Sequence, residues 1–244
     1  MARYQRDGFV HIPNVLDESE IEEFLSDAMT LLGREEKVHW GQDDGTILEF
    51  VEDAQLKSEA MRRLAVHPRV TEIAALLAGA PLRLFKRELL CKEPGQSKPT
   101  EAHFDEFALP FLGAPVALTA WVALVDVPVE RGCMSFVPGS HLLPPTDRAT
   151  DAWDAYARPE VRWLPRIAVP IRAGDCTFHH ARAVHAAGAN LTDRPRVSTT
   201  TVYMDADATY RPTGNAHIDG IPGAGPLTPG QALTGDRFPL VGRA

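Results

Sequence analysis

The feature that most constrains this 244-residue chain is a change of texture after Gly79. Ahead of it, apolar residues recur at helical spacing. Behind it come short β-forming runs: "LRLFKRELLCK", "PVALTAWVALVDV", "CMSFVP", "RIAVPI", "DCTFHH" and "RVSTTTVYM", punctuated by Pro, Gly and Asp. Many short strands separated by turns predict a sandwich or jelly roll. No internal repeat and no clean linker divides the chain. The expectation is a mainly β protein of one domain, 1–244: a helical part over about 1–80, a jelly-roll core over about 81–205 and an irregular, Gly/Pro-rich tail over 206–244.

The helical part has its own punctuation. "HIPNVLDESEIEEFLSDAMTLLGR" predicts a short strand and then a helix. Asp17 and Glu20 have the spacing of a capping box in its Asp variant. Ile21, Phe24, Leu25, Ala28 and Leu32 share one helical face, and Gly33 is the expected stop. A second helical region covers roughly 56–78, with Pro68 opening a new helix and Gly79 ending it. Within the β part, "LLPPTDRATDAWDAYARPEVRWLP" (142–165) breaks the strand pattern, and a loop of that length predicts a lid or binding loop.

Bulk properties remove several classes of function. The formal net charge is −8 and no long basic run exists, so nucleic acid and anionic membranes are poor partners. The three cysteines, Cys91, Cys133 and Cys176, are neither clustered nor spaced as C-x-x-C, which argues against a disulfide framework or a cysteine zinc site. "MARYQRDGFV" lacks the apolar core of a signal peptide, and no uninterrupted apolar stretch of about 18 residues suggests a membrane span. The expected location is cytoplasmic.

The chemistry centres on "EAHFDEF", residues 101–107. In extended chain, residues i and i+2 point to the same side, so His103 and Asp105 can converge on one point. A His-x-Asp pair alone is equally at home on the wet face of a strand. Among the other histidines, His67 precedes a proline at a helix start, His141 closes the turn "PGSH", and His11, His39 and His217 stand in ordinary polar contexts. "FHHARAVHAAGAN" leaves His179, His180 and His185. Two histidines and one carboxylate hold Fe(II) by one face and leave the opposite positions open. A second signal lies in "HAAGANLTDRPRVS": Arg196 stands at the mouth of a Thr-rich strand, with Ser198 on the same face. Arginine grips a carboxylate through two parallel hydrogen bonds, and a serine hydroxyl adds a third. A metal with open positions beside such a clamp suits a keto-diacid.

"HFDEF", "WVALVDVPVERGCMSFVPGSH" and "GDCTFHHARAVHAAGANLTDRPR" resemble the three signature stretches of the phytanoyl-CoA dioxygenase family, and "YQRDGFVHIPNVLDESEIEEF" resembles its amino-terminal segment. The resemblance covers roughly residues 4–205. It implies a double-stranded β-helix, Fe(II), and the cosubstrates 2-oxoglutarate and O2. It further implies His103, Asp105 and His185 as iron ligands. Asn190 and Arg196 follow His185 at the family's spacing, which His179 and His180 lack. Arg196 matches the residue that binds the distal carboxylate of 2-oxoglutarate. Lys92 lies in a segment that often lines the cosubstrate pocket, and Thr119 and Trp121 lie on the strand that backs the site. Two departures stand out. Ala186 and Ala187 replace the usual Gly-Ser or Gly-Ala, so Ser198 or Thr119 is the expected source of the missing hydroxyl. Phe104 stands where relatives often carry a glutamine that reaches the cosubstrate.

The implied reaction is oxidation of a small-molecule metabolite, such as a biosynthetic intermediate, with release of succinate and CO2. Hydroxylation is expected first, with epimerisation, cyclisation and desaturation as alternatives. A carboxylate at Asp105, where related halogenases carry a small residue, disfavours halogenation. No Lys/Arg cluster suits the phosphates of CoA. The expected substrate pocket draws on Trp40, Glu106, Phe107, Trp121, Trp153, Arg162 and Trp163. A zinc hydrolase or cupin-like isomerase without 2-oxoglutarate could use the same ligands, but it has no evident need for Arg196 and Ser198. A non-catalytic β-sandwich would have no need for the set at all.

Overall fold

The computed structural model describes residues 1–42, 45–95, 97–112, 117–144, 155 and 159–242. In chain order its elements are α1 (Ala2–Asp7), β1 (Phe9–Ile12), α2 (Glu18–Arg34), β2 (Val38–Gln42), β3 (Gly45–Val51), α3 (Ala54–Lys57), α4 (Glu59–Ala65) and α5 (Pro68–Ala78). There follow β4 (Leu82–Lys92), β5 (Thr100–His103), β6 (Phe111–Leu112), β7 (Ala117–Ala123), β8 (Met134–Phe136), α6 (Pro159–Arg162) and β9 (Ile167–Val169). The chain closes with β10 (Cys176–His180), β11 (His185–Ala187), β12 (Arg196–Asp205), β13 (Thr209–Tyr210), α7 (Ala216–Asp219) and β14 (Leu240–Val241).

Local chemistry sets the helix ends. The Asp17 side chain accepts from the Glu20 N–H, and Glu20 reaches back to the Asp17 N–H, so both halves of the capping box are present. α2 runs one residue past Gly33, and its last turn is closed by the Glu35 N–H on the Leu31 carbonyl. The 56–78 region is not two helices but three short ones, because Ser58 is extended and its hydroxyl caps the Met61 N–H. Pro68 and Gly79 bound α5 as the sequence predicts; Gly79 takes a left-handed conformation.

Two antiparallel sheets form the β core. The larger runs β1-β10-β7-β12-β4-β3-β2, with β14 paired to β4; the smaller runs β5-β11-β8-β9. This is a double-stranded β-helix with helices on one side. Strand alternation divides the large sheet into two faces. Leu118, Ala120, Val122, Phe178, Val197 and Tyr203 pack against Phe24, Leu31, Met61 and Leu64 of the helices. Each such large apolar side chain contributes about 1.5–3 kcal/mol on full burial. The other face, with Trp121, meets Met134 and Phe136 of the small sheet. Arg87 is fully buried at the helical face, where it donates to the Leu64 carbonyl and the Thr199 hydroxyl.

One expectation needs correction. The part ahead of Gly79 is not purely helical, since the β2–β3 hairpin extends the large sheet. The tail lacks long elements but is packed: Leu233 and Phe238 are buried with Phe85, Phe111, Val202 and Met204. The Pro239 carbonyl accepts from the Leu84 N–H, tying the tail to β4.

Candidate active site

β5 ends at His103, Phe104 is extended (φ −134°, ψ 144°), and Asp105 opens a single 3-10 turn. Asp105 is therefore not on the strand, yet the extended Phe104 keeps it on the same side as His103. Phe104 itself points the other way, into an apolar cluster with Phe107, Val137, Val161 and Val184. It buries surface and does not take the place of a cosubstrate-binding glutamine.

β11 begins at His185, which lies directly opposite His103 in the ladder, with ring centroids 4.3 Å apart. One donor atom from each of His103, Asp105 and His185 lies within 4.8 Å of the others, a group able to hold a metal ion. The backbone selects the tautomers. His103 Nδ1 faces the Glu101 carbonyl at 2.8 Å, and His185 Nδ1 faces the Ala183 carbonyl at 3.0 Å. A carbonyl only accepts, so each Nδ1 carries the proton and each Nε2 keeps its lone pair for a metal. Burial holds both imidazoles below their ordinary range, reinforced at His185 by repulsion from His103. Burial pushes the Asp105 carboxyl up, but His185, His179 and His103 together outweigh that and hold it well below the usual carboxylate range. Two neutral imidazoles and one carboxylate are the donor set a divalent iron requires.

His179, which lacks the spacing of an iron ligand in the sequence, is nonetheless a close neighbour of the donor set. It is buried on β10, its Nε2 lies 3.2 Å from Asp105 Oδ2, and its ring is 4.4 Å from that of His185. Thr119 also donates to Asp105 Oδ2, at 2.6 Å. Its one hydroxyl proton is thereby committed to Asp105, so it cannot also be donated to a cosubstrate as expected.

Deeper between the sheets, Arg196 stands opposite Lys92 where β12 and β4 pair. Arg196 is 2 % exposed and Lys92 fully buried, and neither pairs with a carboxylate among the described residues. The Arg196 guanidinium lies over the Trp121 ring at 5.5 Å and donates to the Gly132 carbonyl at 3.1 Å. Its Nε and the Ser198 hydroxyl, both buried, have no hydrogen-bond partner. Lys92 donates to the Lys98 carbonyl at 2.6 Å. Burial, and then repulsion from Arg196, bring its ammonium down to about 6. Burial also lowers Arg196, to about 10. A buried charge without a partner is costly. Orphaned donors on an unpaired guanidinium, with a buried lysine opposite it, fit the carboxylate of a dianion such as 2-oxoglutarate.

A cavity of about 620 Å³ joins these parts. Its wall includes His103, Asp105, His179, His185 and Arg196, with Thr119, Trp121 and Ala187. Of the expected substrate residues, Trp40, Phe107 and Trp121 line it, and Trp40 meets the His103 ring edge to face at 5.7 Å. Lys92 and Ser198 are buried beside the cavity rather than in its wall. Three further expectations fail. Glu106 lies 3.8 Å from Arg182, Arg162 stacks on Trp163, and Trp163 is 85 % exposed; none of the three lines the cavity. Glu106 stands on the 3-10 turn, Arg162 ends α6 and Trp163 follows it. Trp153, and most of the 142–165 segment predicted as a lid, lie outside the described residues. The lining also includes His39 and His217, which the sequence shows in ordinary polar contexts, and Glu52, Lys86, Glu88, Ile221 and Arg237, which drew no notice there. Strand alternation in "CTFHH" could have revealed His179, but nothing local marks the tail.

Antiparallel sheets wrapped around two histidines, an aspartate and a buried arginine define the class of Fe(II)/2-oxoglutarate oxygenases. Within that class, the sequence model described as Phytanoyl-CoA dioxygenase (PhyH) matches residues 4–198, and the chain belongs to this family. It is an Fe(II)/2-oxoglutarate-dependent dioxygenase. The peroxisomal phytanoyl-CoA dioxygenase of Rattus norvegicus is 21% identical over 230 residues, 85% of this chain and 68% of that protein. Solved structures lie nearer. The non-heme α-ketoglutarate-dependent epimerase SnoN from nogalamycin biosynthesis is 61% identical, with 98% of this chain and 95% of that chain covered and a TM-score of 0.93. The carbocyclase SnoK from the same biosynthesis is 45% identical over 98% of this chain and 94% of that chain, with a TM-score of 0.87. SnoN is also known in complex with Fe3+, α-ketoglutarate and nogalamycin RO.

Proposed function

We propose that this protein acts at a C–H bond of a natural-product intermediate and epimerises the carbon. Iron would be held by His103, Asp105 and His185, and the distal carboxylate of 2-oxoglutarate by Arg196 with Ser198 beside it. The single observation that carries the site is the pair of buried basic side chains, Arg196 and Lys92, without a carboxylate partner among the described residues. Placed near the three donors, they leave room for a ligand that is anionic at one end and metal-binding at the other.

Iron with 2-oxoglutarate and O2 supplies an oxidant that takes a hydrogen atom from carbon, with release of succinate and CO2. An external two-electron reductant would supply the hydrogen returned to the carbon and the electron that restores Fe(II), and the chain's own residues bind, orient and exclude water. Backbone carbonyls fix the histidine tautomers, Arg196 orients the cosubstrate, and Trp40, Trp121 and Phe107 exclude water beside the donor set. A 620 Å³ cavity suits a drug-sized ligand. Trp40, Phe50, Phe85 and Phe107 offer contact to an apolar body, and Glu52, Glu88 and His217 offer hydrogen bonds to polar substituents. Epimerisation takes precedence over the hydroxylation expected from sequence because the epimerase SnoN is the more similar of the two nogalamycin enzymes, at 61% against 45% for the carbocyclase. Asp105 supplies a carboxylate where halide would bind, which separates this site from a halogenase.

The test is incubation with Fe(II), 2-oxoglutarate, O2 and a two-electron reductant, using nogalamycin-type intermediates, followed by chromatography and mass spectrometry. An epimer keeps the substrate mass and consumes reductant. A hydroxylated product gains one oxygen, and a cyclised or desaturated product loses two hydrogens; either would replace epimerisation as the reading. Absence of 2-oxoglutarate binding by the anaerobic Fe(II) protein would remove the whole assignment.

A further inference from the structure

Asp105 Oδ2 receives two hydrogen bonds from residues far away in sequence. Thr119 Oγ1 donates at 2.6 Å, and His179 Nε2 lies at 3.2 Å. An ionised carboxylate only accepts, so the His179 proton sits on Nε2. His179 and Thr119 are direct cross-strand partners in the β10–β7 ladder. One rung of the large sheet thus presents both donors to an aspartate on the 3-10 turn after β5. The other oxygen, Oδ1, lies 3.6 Å from His185 Nε2, a nitrogen free to bind metal.

We infer that Thr119 and His179 are positioning residues which occupy Asp105 Oδ2 and so make Asp105 a one-oxygen ligand through Oδ1. The inference rests on the proposed ligand set of His103, Asp105 and His185. A carboxylate oxygen has two in-plane lone-pair directions. With both taken by donors, Oδ2 has none left to share with a metal. A one-oxygen aspartate occupies one coordination position where a two-oxygen aspartate would occupy two. The difference would be one more open position at a bound metal for cosubstrate and O2. The restraint has two independent anchors: His179 is 1 % exposed and Thr119 is 2 % exposed, so neither side chain can swing aside into solvent.

The test uses Co(II) as an anaerobic spectroscopic probe, without turnover. Wild type, His179→Phe, Thr119→Val, His179→Gln and Thr119→Ser are titrated with Co(II), and the visible ligand-field bands are recorded. Loss of a group that orients a ligand weakens metal binding by about 10–100-fold. His179→Phe and Thr119→Val are expected to fall in that range. Their bands are expected to weaken in absorptivity as Asp105 turns to two-oxygen binding and coordination number rises. His179→Gln and Thr119→Ser each keep a donor and are expected to retain wild-type affinity and spectrum. Unchanged affinity and bands in His179→Phe and Thr119→Val would overturn the inference. So would equal losses in the conservative and non-conservative variants, which would mark a merely structural role. Should His179→Phe fail to fold, by far-UV circular dichroism, the Thr119→Val and Thr119→Ser pair decides alone. Asp105→Ala distinguishes the two levels: if it binds Co(II) like wild type, the ligand set itself is wrong, whatever the other variants do.

Discussion

At the scale of single residues, the surroundings of Arg196 and Lys92 are a balance between burial and charge. Arg196 is buried without an acid, which the folded chain tolerates because the Gly132 carbonyl and the Trp121 ring partly replace water around the guanidinium. Removing one partner of a buried ion pair costs about 2–5 kcal/mol. Arg196→Gln is therefore expected to weaken 2-oxoglutarate binding at least about 30-fold, read by anaerobic titration, with metal binding unchanged. Lys92 makes a separate prediction. Its ammonium titrates near 6 in the folded protein, against an ordinary value of 10.5, because burial and then Arg196 disfavour the charge. Between those values the unfolded chain holds a proton that the folded chain does not, so stability rises with pH across that window. Below about 6 both states are protonated and the full penalty stands. Without cosubstrate, the melting temperature of wild type is expected to climb relative to Lys92→Met from pH 6 to 9. A flat difference between the two would show that Lys92 keeps its charge when folded.

At the scale of elements, the site depends on where strands stop. His103 is the last residue of β5 and His185 the first of β11, so the two ligand candidates sit at one rung. The β8 approach adds a close backbone crossing. Gly132 has φ +77°, and a Cβ there would lie 2.5 Å from the Gly188 carbonyl oxygen. Gly132 also provides the carbonyl on which Arg196 leans. Gly132→Ala combines a disfavoured conformation with a backbone clash, at a cost of about 1–3 kcal/mol. Because the displaced carbonyl orients Arg196, weaker 2-oxoglutarate binding is expected alongside the lower melting temperature. An alanine variant that melts early but binds 2-oxoglutarate normally would separate the turn from the clamp.

At the scale of the whole molecule, the cavity is closed by parts of the chain that never meet in sequence. The small sheet provides two donors, the large sheet the arginine, and the tail part of the lining through His217, Ile221 and Arg237. Among the described residues, no helix is long and apolar enough to cross a membrane. The tail wall predicts that substrate and cosubstrate binding can be separated. Ile221→Trp adds bulk on that wall without touching Arg196, so substrate-dependent succinate release is expected to fall while 2-oxoglutarate affinity stays at the wild-type value. Equal loss of both would mean that the tail supports the fold rather than shaping the pocket.

The sequence by itself determined what repeats or what has fixed spacing. The capping box at Asp17 and the strand "LRLFKRELLCK", which became β4 residue for residue, were legible because backbone periodicity leaves local marks; His185 was chosen over His179 and His180 only by the family resemblance, and the fold brings its donor atom together with those of His103 and Asp105. The family's motifs implied the double-stranded β-helix, which strand periodicity alone leaves open between sandwich and jelly roll. What only the tertiary structure decided depends on contacts between distant segments. Phe104 packs away from the site because Val137, Val161 and Val184 build a pocket for it. Thr119 serves Asp105 because β7 lies beside β10. Glu106 and Trp163 miss the cavity, and His179 and His217 reach it, because a side chain's neighbours are set by sheet register and by the path of the tail. Register and chain path come from the sum of packing over the whole molecule, which no short stretch contains.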